Sequence, residues 1–177
     1  EAAARLGCAA ETAETILWES RFVFLGVKPQ MIAGVVKKLA GDIAGSDAIF
    51  VSMLAGTSLE RLAELLGADK KIIRIMPNTP CAVGQGLTLV APNDRVTAEE
   101  LADFKALLSA SGLLDDLPEH LIDAASAVSG CGPAYAYLFM EALADGAVKC
   151  GVPRAKAMRY AAQMLLGSAS LTLESGH

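Results

Sequence analysis

The sequence predicts an α/β domain built on a mostly parallel sheet, followed by an all-helical segment. Three observations carry that expectation. Short apolar runs at residues 22–27, 48–54 and 71–75 have the composition of buried strands. Segments with apolar residues at helical spacing lie between them, the alternation that builds crossover units. From about Leu121 onward no strand pattern occurs, only alanine-rich helical sequence broken by Gly130-Cys131-Gly132-Pro133 and Gly151-Val152-Pro153.

Taken in order, residues 1–6 have helical composition and read as the tail of an element that begins before Glu1. Residues 7–10 predict a short strand or turn, and Thr12 is placed to cap a helix through about Trp18. The run at 22–27 fits a strand buried on both faces. Lys28-Pro29 stops it, and Pro29 suits the first turn of a helix carrying Ile32, Val35, Val36 and Leu39. The unit repeats: a strand at 48–54, a turn at Ala55-Gly56-Thr57, then a helix capped by Ser58, bearing Leu59, Leu62, Leu65 and Leu66 and ending at Gly67. A third strand at 71–75 runs into Met76-Pro77-Asn78-Thr79-Pro80, where two prolines forbid a regular ladder. Residues 84–90 return as a strand. Thr97 with Glu100 makes a capping box for a helix bearing Leu101, Phe104, Leu107 and Leu108.

These readings divide the chain into a ligand-binding α/β domain at residues 1–120 and a helical domain at 121–177. The final helix carries Met158, Ala161, Ala162, Leu165, Ala169 and Leu173 on a broad face, with Arg154, Lys156 and Arg159 crowding its first turns. So short a helical segment buries too little surface to stand alone, so it is expected to pack on the sheet domain, on another chain or both, and a dimer is predicted.

Composition narrows the function classes. With 177 residues, 53% of them hydrophobic, the chain supports a real core and excludes intrinsic disorder. The balance of 15 basic and 20 acidic residues, net −5, has no basic block to follow a phosphate backbone, so nucleic acid is not an expected partner. No apolar stretch approaches the roughly 20 residues of a bilayer span, and a soluble cytoplasmic protein is expected. Cys8, Cys81, Cys131 and Cys150 form no C-x-x-C pair and read as small buried hydrophobes. His120 and His177 lack partners at ligand spacing, so no metal site is expected, and His120 reads as a solvated loop residue.

In an open parallel sheet, ligands bind outside the carboxyl ends of the strands. Three loops take that position: Gly26-Val27-Lys28-Pro29, Met53-Leu54-Ala55-Gly56 and Met76-Pro77-Asn78-Thr79-Pro80. Gly and Ala let a ligand approach the backbone, and the prolines lock its course. Lys28 suits either a positive charge near a phosphate, ribose or carboxamide or a solvated charge at a strand end. No G-x-G-x-x-G fingerprint occurs. Gly84-Gln85-Gly86 lacks the third glycine, and Gly130-Cys131-Gly132 has Tyr135 where it is needed.

Four blocks in register carry a resemblance: FLGVKPQ (24–30), SMLAG (52–56), RIMPNTP (74–80) and SGCGPAYAYLFMEALADGAVKCGVP (129–153). Together they resemble the pyrroline-5-carboxylate reductase family over almost the whole chain. The resemblance implies a Rossmann-like dinucleotide-binding domain and a helical dimerisation domain that interlocks with a second subunit. It implies a homodimer or a larger homo-oligomer. The implied activity is NADPH- or NADH-dependent reduction of a cyclic imino acid, 1-pyrroline-5-carboxylate, to L-proline, the last step of proline biosynthesis. Carried over residue by residue, cofactor contacts fall on Gly26, Val27, Lys28 and Pro29 and on Met53, Leu54 and Ala55. Asn78 and Thr79 fall near the reacting centre. Ser126 matches a substrate-facing position, while its own context also suits an ordinary helix-end hydroxyl. The family's glycine fingerprint is expected before Glu1 and its carboxylate-gripping loop after His177. Cys131 stands where the family usually has serine, and Ala13 about where it often has a cofactor-contacting asparagine.

Hydride transfer demands mainly positioning, and a protonated imine is already electrophilic, so no catalytic residue is assigned. A related hydroxy-acid dehydrogenase is a second reading; its carbonyl chemistry wants a lysine or histidine, for which Lys149 stands near a turn. A non-catalytic scaffold of the same fold is a third.

Overall fold

A computed structural model describes residues 2–176; Glu1 and His177 lie outside the described residues. Its packing forms two compact units, residues 1–130 and 131–177. The first contains helices α1 (Ala2–Leu6), α2 (Ala13–Glu19), α3 (Ile32–Lys38), α4 (Ala40–Gly45), α5 (Leu59–Leu66), α6 (Ala98–Leu108) and α7 (Ile122–Ser129). Its strands are β1 (Phe22–Leu25), β2 (Ile49–Ser52), β3 (Ile72–Met76), β4 (Gly86–Pro92) and β5 (Gly112–Asp116). They form one sheet in the order β1-β2-β3-β4-β5. All neighbours are parallel except β3 and β4, so the sheet is mostly parallel as the spacing predicts.

Period-two alternation sorts the side chains to the two faces. From β2, Phe50 joins Leu54, Leu62, Leu66 and Ile72 in a core covered by α2 to α5. Ile49 and Val51 point the other way, joining Ile73, Ile75, Val90 and Phe104 of α6. The predicted caps form. Thr12 Oγ1 accepts from Thr15 N, Ser58 Oγ accepts from Arg61 N, and Thr97 and Glu100 close a reciprocal capping box.

Several expectations are corrected. β1 is an edge strand and Phe24 is 39% exposed, so the first strand is not buried on both faces. Of residues 7–10, Gly7 makes the expected turn at φ +67°, while 8–10 form neither strand nor turn. The helix after Pro29 starts as a 3-10 turn, breaks at Leu39 and resumes as α4, which the sequence pattern did not separate. Residues 112–116 form β5, a strand missed because its residues are mixed in character; it sits on the sheet edge. Gly112 makes β5 possible, since its φ is +129° and a Cβ there would lie 2.2 Å from the Gly86 carbonyl oxygen of the neighbouring strand. The cysteines are not buried: Cys8, Cys131 and Cys150 are exposed and Cys81 is half-buried. The compact units divide after Gly130, and Ile122 of α7 is fully buried against Leu89 and Ala91 of β4.

The second unit is a pair of packed helices, α8 (Gly132–Lys149) and α9 (Arg154–Ser175). Gly151, at φ +97°, makes the reversal, and Arg154 pairs with Asp145 and, at 3.7 Å, with Glu141. Of the face expected on α9, Ala161 is buried and Met158 and Leu165 are half-buried, whereas Ala162, Ala169 and Leu173 are exposed; Ala157 completes the buried stripe.

Candidate functional site

Because β1, β2 and β3 are parallel neighbours, their carboxyl ends lie on one side of the sheet, and the three predicted loops gather there. The first turns sharply, with Gly26 N donating to Phe24 O at 3.1 Å and Met31 N donating to Lys28 O at 2.8 Å. Gly26, Lys28 and Pro29 are exposed and Val27 is half-buried, packed against the helical side of the core. A Cβ at Gly26 would meet nothing within 4 Å, so the backbone is open to a ligand. Among the described residues Lys28 has no ion-pair partner, which leaves its ammonium available.

In the second loop Met53 and Ala55 are exposed, but Leu54 is 1% exposed and anchored in the core. Its N–H donates to Ser52 Oγ at 3.3 Å and its carbonyl accepts from Thr57 N at 3.3 Å. Leu54 therefore fixes the loop's path and presents Met53 and Ala55. Gly56, at φ +69°, completes the turn into α5.

The third loop is held by one side chain. Asn78 Oδ1 accepts from Leu87 N at 2.9 Å, and its Nδ2 donates to Ser129 O at 2.9 Å. That carbonyl is one of the orphan acceptors at the end of α7. Asn78 thus binds the proline turn to the start of β4 and to the end of the helix carrying Ser126. Thr79, by contrast, is exposed and its hydroxyl has no partner among the described residues. Ser126 is half-buried, and its hydroxyl donates to Asp123 O at 2.9 Å, leaving its lone pairs free to accept. The structure therefore brings Asn78 close to the end of α7, with Ser126 about one helical turn back.

Sequence reasoning missed Arg74. Period-two alternation on β3 sends Ile72, Arg74 and Met76 to the face covered by α5 and α7, and Arg74 is only 3% exposed. Its Nη1 donates to Glu119 Oε1 at 2.7 Å and its Nη2 to Asp123 Oδ1 at 2.6 Å. The signal was available: a guanidinium inside an apolar strand demands partners for its charge. Lys149 is the exposed last residue of α8.

Residues 119–177 match the family model described as pyrroline-5-carboxylate reductase dimerisation. The pyrroline-5-carboxylate reductase of Escherichia coli is 42% identical over 168 residues, which cover 95% of this chain and 62% of that protein. This chain belongs to the pyrroline-5-carboxylate reductase family. The 1-pyrroline-5-carboxylate reductase of Streptococcus pyogenes superimposes with a TM-score of 0.87 at 37% identity, over 97% of this chain and 64% of that one. A Plasmodium falciparum pyrroline carboxylate reductase solved with NADP bound gives 0.86 at 29% identity, over 96% and 64%. The chain thus spans less than two thirds of the length of these family members, and shares with them the Rossmann-like sheet followed by a helical domain.

Proposed function

We propose that this chain serves the NADPH- or NADH-dependent reduction of 1-pyrroline-5-carboxylate to L-proline, the last step of proline biosynthesis. The observation that carries the proposal is the gathering of three loops, each presenting exposed residues, at the carboxyl ends of β1, β2 and β3 in a member of this reductase family. The residues suit a dinucleotide. Gly26, Val27, Lys28 and Pro29 form one wall and Met53 and Ala55 the other, with Leu54 as its buried anchor. Bound there, the reduced nicotinamide supplies a hydride.

The chain's own contribution is positional. Asn78 and Thr79 stand near the reacting centre: Asn78 holds the turn rigid, and the unpartnered Thr79 hydroxyl is free to meet the imino acid. Ser126 accepts a hydrogen bond from the substrate side while its proton rests on Asp123 O. Exposed Tyr135, Leu138, Phe139 and Leu166 on the helical unit, together with the matched dimerisation model, support a homodimer or a larger homo-oligomer. No helix is long and apolar enough to cross a membrane among the described residues. Four free cysteines suit a reducing compartment, and we place the protein in the cytoplasm.

Protein expressed from the full reading frame is mixed with the imine and each reduced nicotinamide, and the loss of ultraviolet nicotinamide absorbance is followed. Turnover of the imine with at least one cofactor is expected. Failure with both, in a folded protein, overturns the proposal.

A further inference from the structure

We propose that Arg74 is a positioning residue that couples the cofactor side of the site to its substrate side; the inference rests on the reductase reading above. The guanidinium stands on β3, two residues before the turn that carries Asn78 and Thr79. One arm reaches Glu119, whose Oε1 also accepts from Leu59 N at 2.9 Å. Leu59 is the first residue of α5, directly after the loop that presents Met53 and Ala55. The other arm reaches Asp123 in the first turn of α7, and the Asp123 carbonyl holds the Ser126 hydroxyl. One buried cation therefore fixes the start of α5, the exit of β3 and the start of α7, the three elements behind all the candidate contacts except those on the loop after β1.

Stability alone does not account for this arrangement. Desolvating a guanidinium is costly, and a hydrophobic side chain of similar volume in place of a buried ionic group is often neutral or stabilising. Among the described residues the Arg74 Nε is also buried without a hydrogen-bond partner, which adds to the cost. Both carboxylates reach water, Glu119 at 29% and Asp123 at 69% side-chain exposure, so removing the arginine does not strand a buried negative charge. Direction is what the network supplies: a planar fork with two fixed arms sets how α5 and α7 stand against the end of β3.

The test uses the full reading frame and steady-state kinetics with the imine and the preferred nicotinamide. Arg74→Met is expected to stay folded with its unfolding midpoint held or raised, and to lose up to about 100-fold in kcat/KM for both substrates, the cost of misplacement near the chemistry. Two further variants divide the effect. Glu119→Gln acts on the α5 arm and raises the KM for the nicotinamide more than that for the imine. Asp123→Asn acts on the α7 arm and does the reverse. That opposite split is one that a merely structural role would not produce, and it decides the matter if Arg74→Met fails to fold. A folded Arg74→Met with unchanged constants, or carboxylate variants that move both KM values in equal proportion or not at all, overturns the inference. Wild-type protein that reduces no imine overturns the reductase reading instead, so the two failures are told apart.

Discussion

The two units of this chain use apolar side chains in opposite ways. In the sheet unit Phe50, Phe104, Leu62, Ile72, Ile73 and Val90 have no exposed surface, and the sheet is covered on both faces. In the helical unit the hydrophobics buried among the described residues are alanines, Ala144, Ala157 and Ala161, while Tyr135, Leu138 and Leu173 stand 66%, 65% and 85% exposed. Burial of large side chains is the dominant favourable contribution to folding, worth about 1.5–3 kcal/mol for each Leu, Ile or Phe. The sheet unit draws it from within its own fold. The helical pair packs through small residues and leaves its large ones exposed. Loops that must be held in fixed geometry lie on the first kind of scaffold, and the second kind is suited to assembly.

The sharpest way to break that comparison is to truncate one large side chain in each unit. Phe50→Ala removes a ring with no exposed surface and is expected to cost about 3–5 kcal/mol in urea unfolding of the sheet unit. Leu138→Ala, in protein diluted until monomeric, is expected to change unfolding by no more than about 0.5 kcal/mol while weakening self-association in sedimentation. Equal costs in the two variants would mean that the helical face is already used within the chain.

A smaller effect is expected where the sheet unit ends. Asn78→Ala leaves Leu87 N–H and Ser129 C=O without their side-chain partner, and is expected to cost about 1–3 kcal/mol and speed hydrogen exchange at the Leu87 amide. Asn78→Asp keeps the acceptor for Leu87 but sets a carboxylate oxygen against the Ser129 carbonyl. It is expected to restore the Leu87 protection without restoring the end of α7. Protection recovered at both ends by the aspartate would show that the Nδ2 contact does not matter.

The elements easiest to read were those whose local chemistry agrees with their packing. Thr12, Ser58 and the Thr97-Glu100 pair announced three helix starts, and each forms the hydrogen bonds its residue type predicts. The three loops were legible for a similar reason: Gly26, Pro29, Gly56 and the prolines around Asn78 mark turns by their own backbone preferences. β5 was not legible, since Leu113, Leu114, Asp115 and Asp116 do not alternate cleanly, and only its pairing with β4 makes them a strand. Nor was the role of Asn78 visible, because its two partners lie 9 and 51 residues away in sequence. The Arg74 network has the same character. An arginine among isoleucines signals that its charge must be paired, but nothing in the spacing says that the partners are Glu119 and Asp123.

The smallest expected effect concerns pH and belongs to the helix covering the second face of the sheet. Glu100 of α6 accepts from the Lys71 ammonium and from Thr97 N at 2.9 Å, and these contacts, the lysine foremost, hold its carboxyl below its ordinary value of 4.5. A carboxyl whose folded pKa is depressed binds fewer protons in the folded than in the unfolded state. Its contribution is therefore fully present above pH 4.5 and is lost as pH falls through the lower folded value. Glu100→Gln keeps an acceptor for the Thr97 N–H but loses the charge, so at neutral pH it is expected to cost no more than about 1 kcal/mol. Below the folded pKa the wild type also carries a neutral side chain there, and the two proteins should converge. Urea midpoints measured at a series of pH values check this. A gap between the two that stays constant down to the acid end would assign the Glu100 contribution to packing and not to charge.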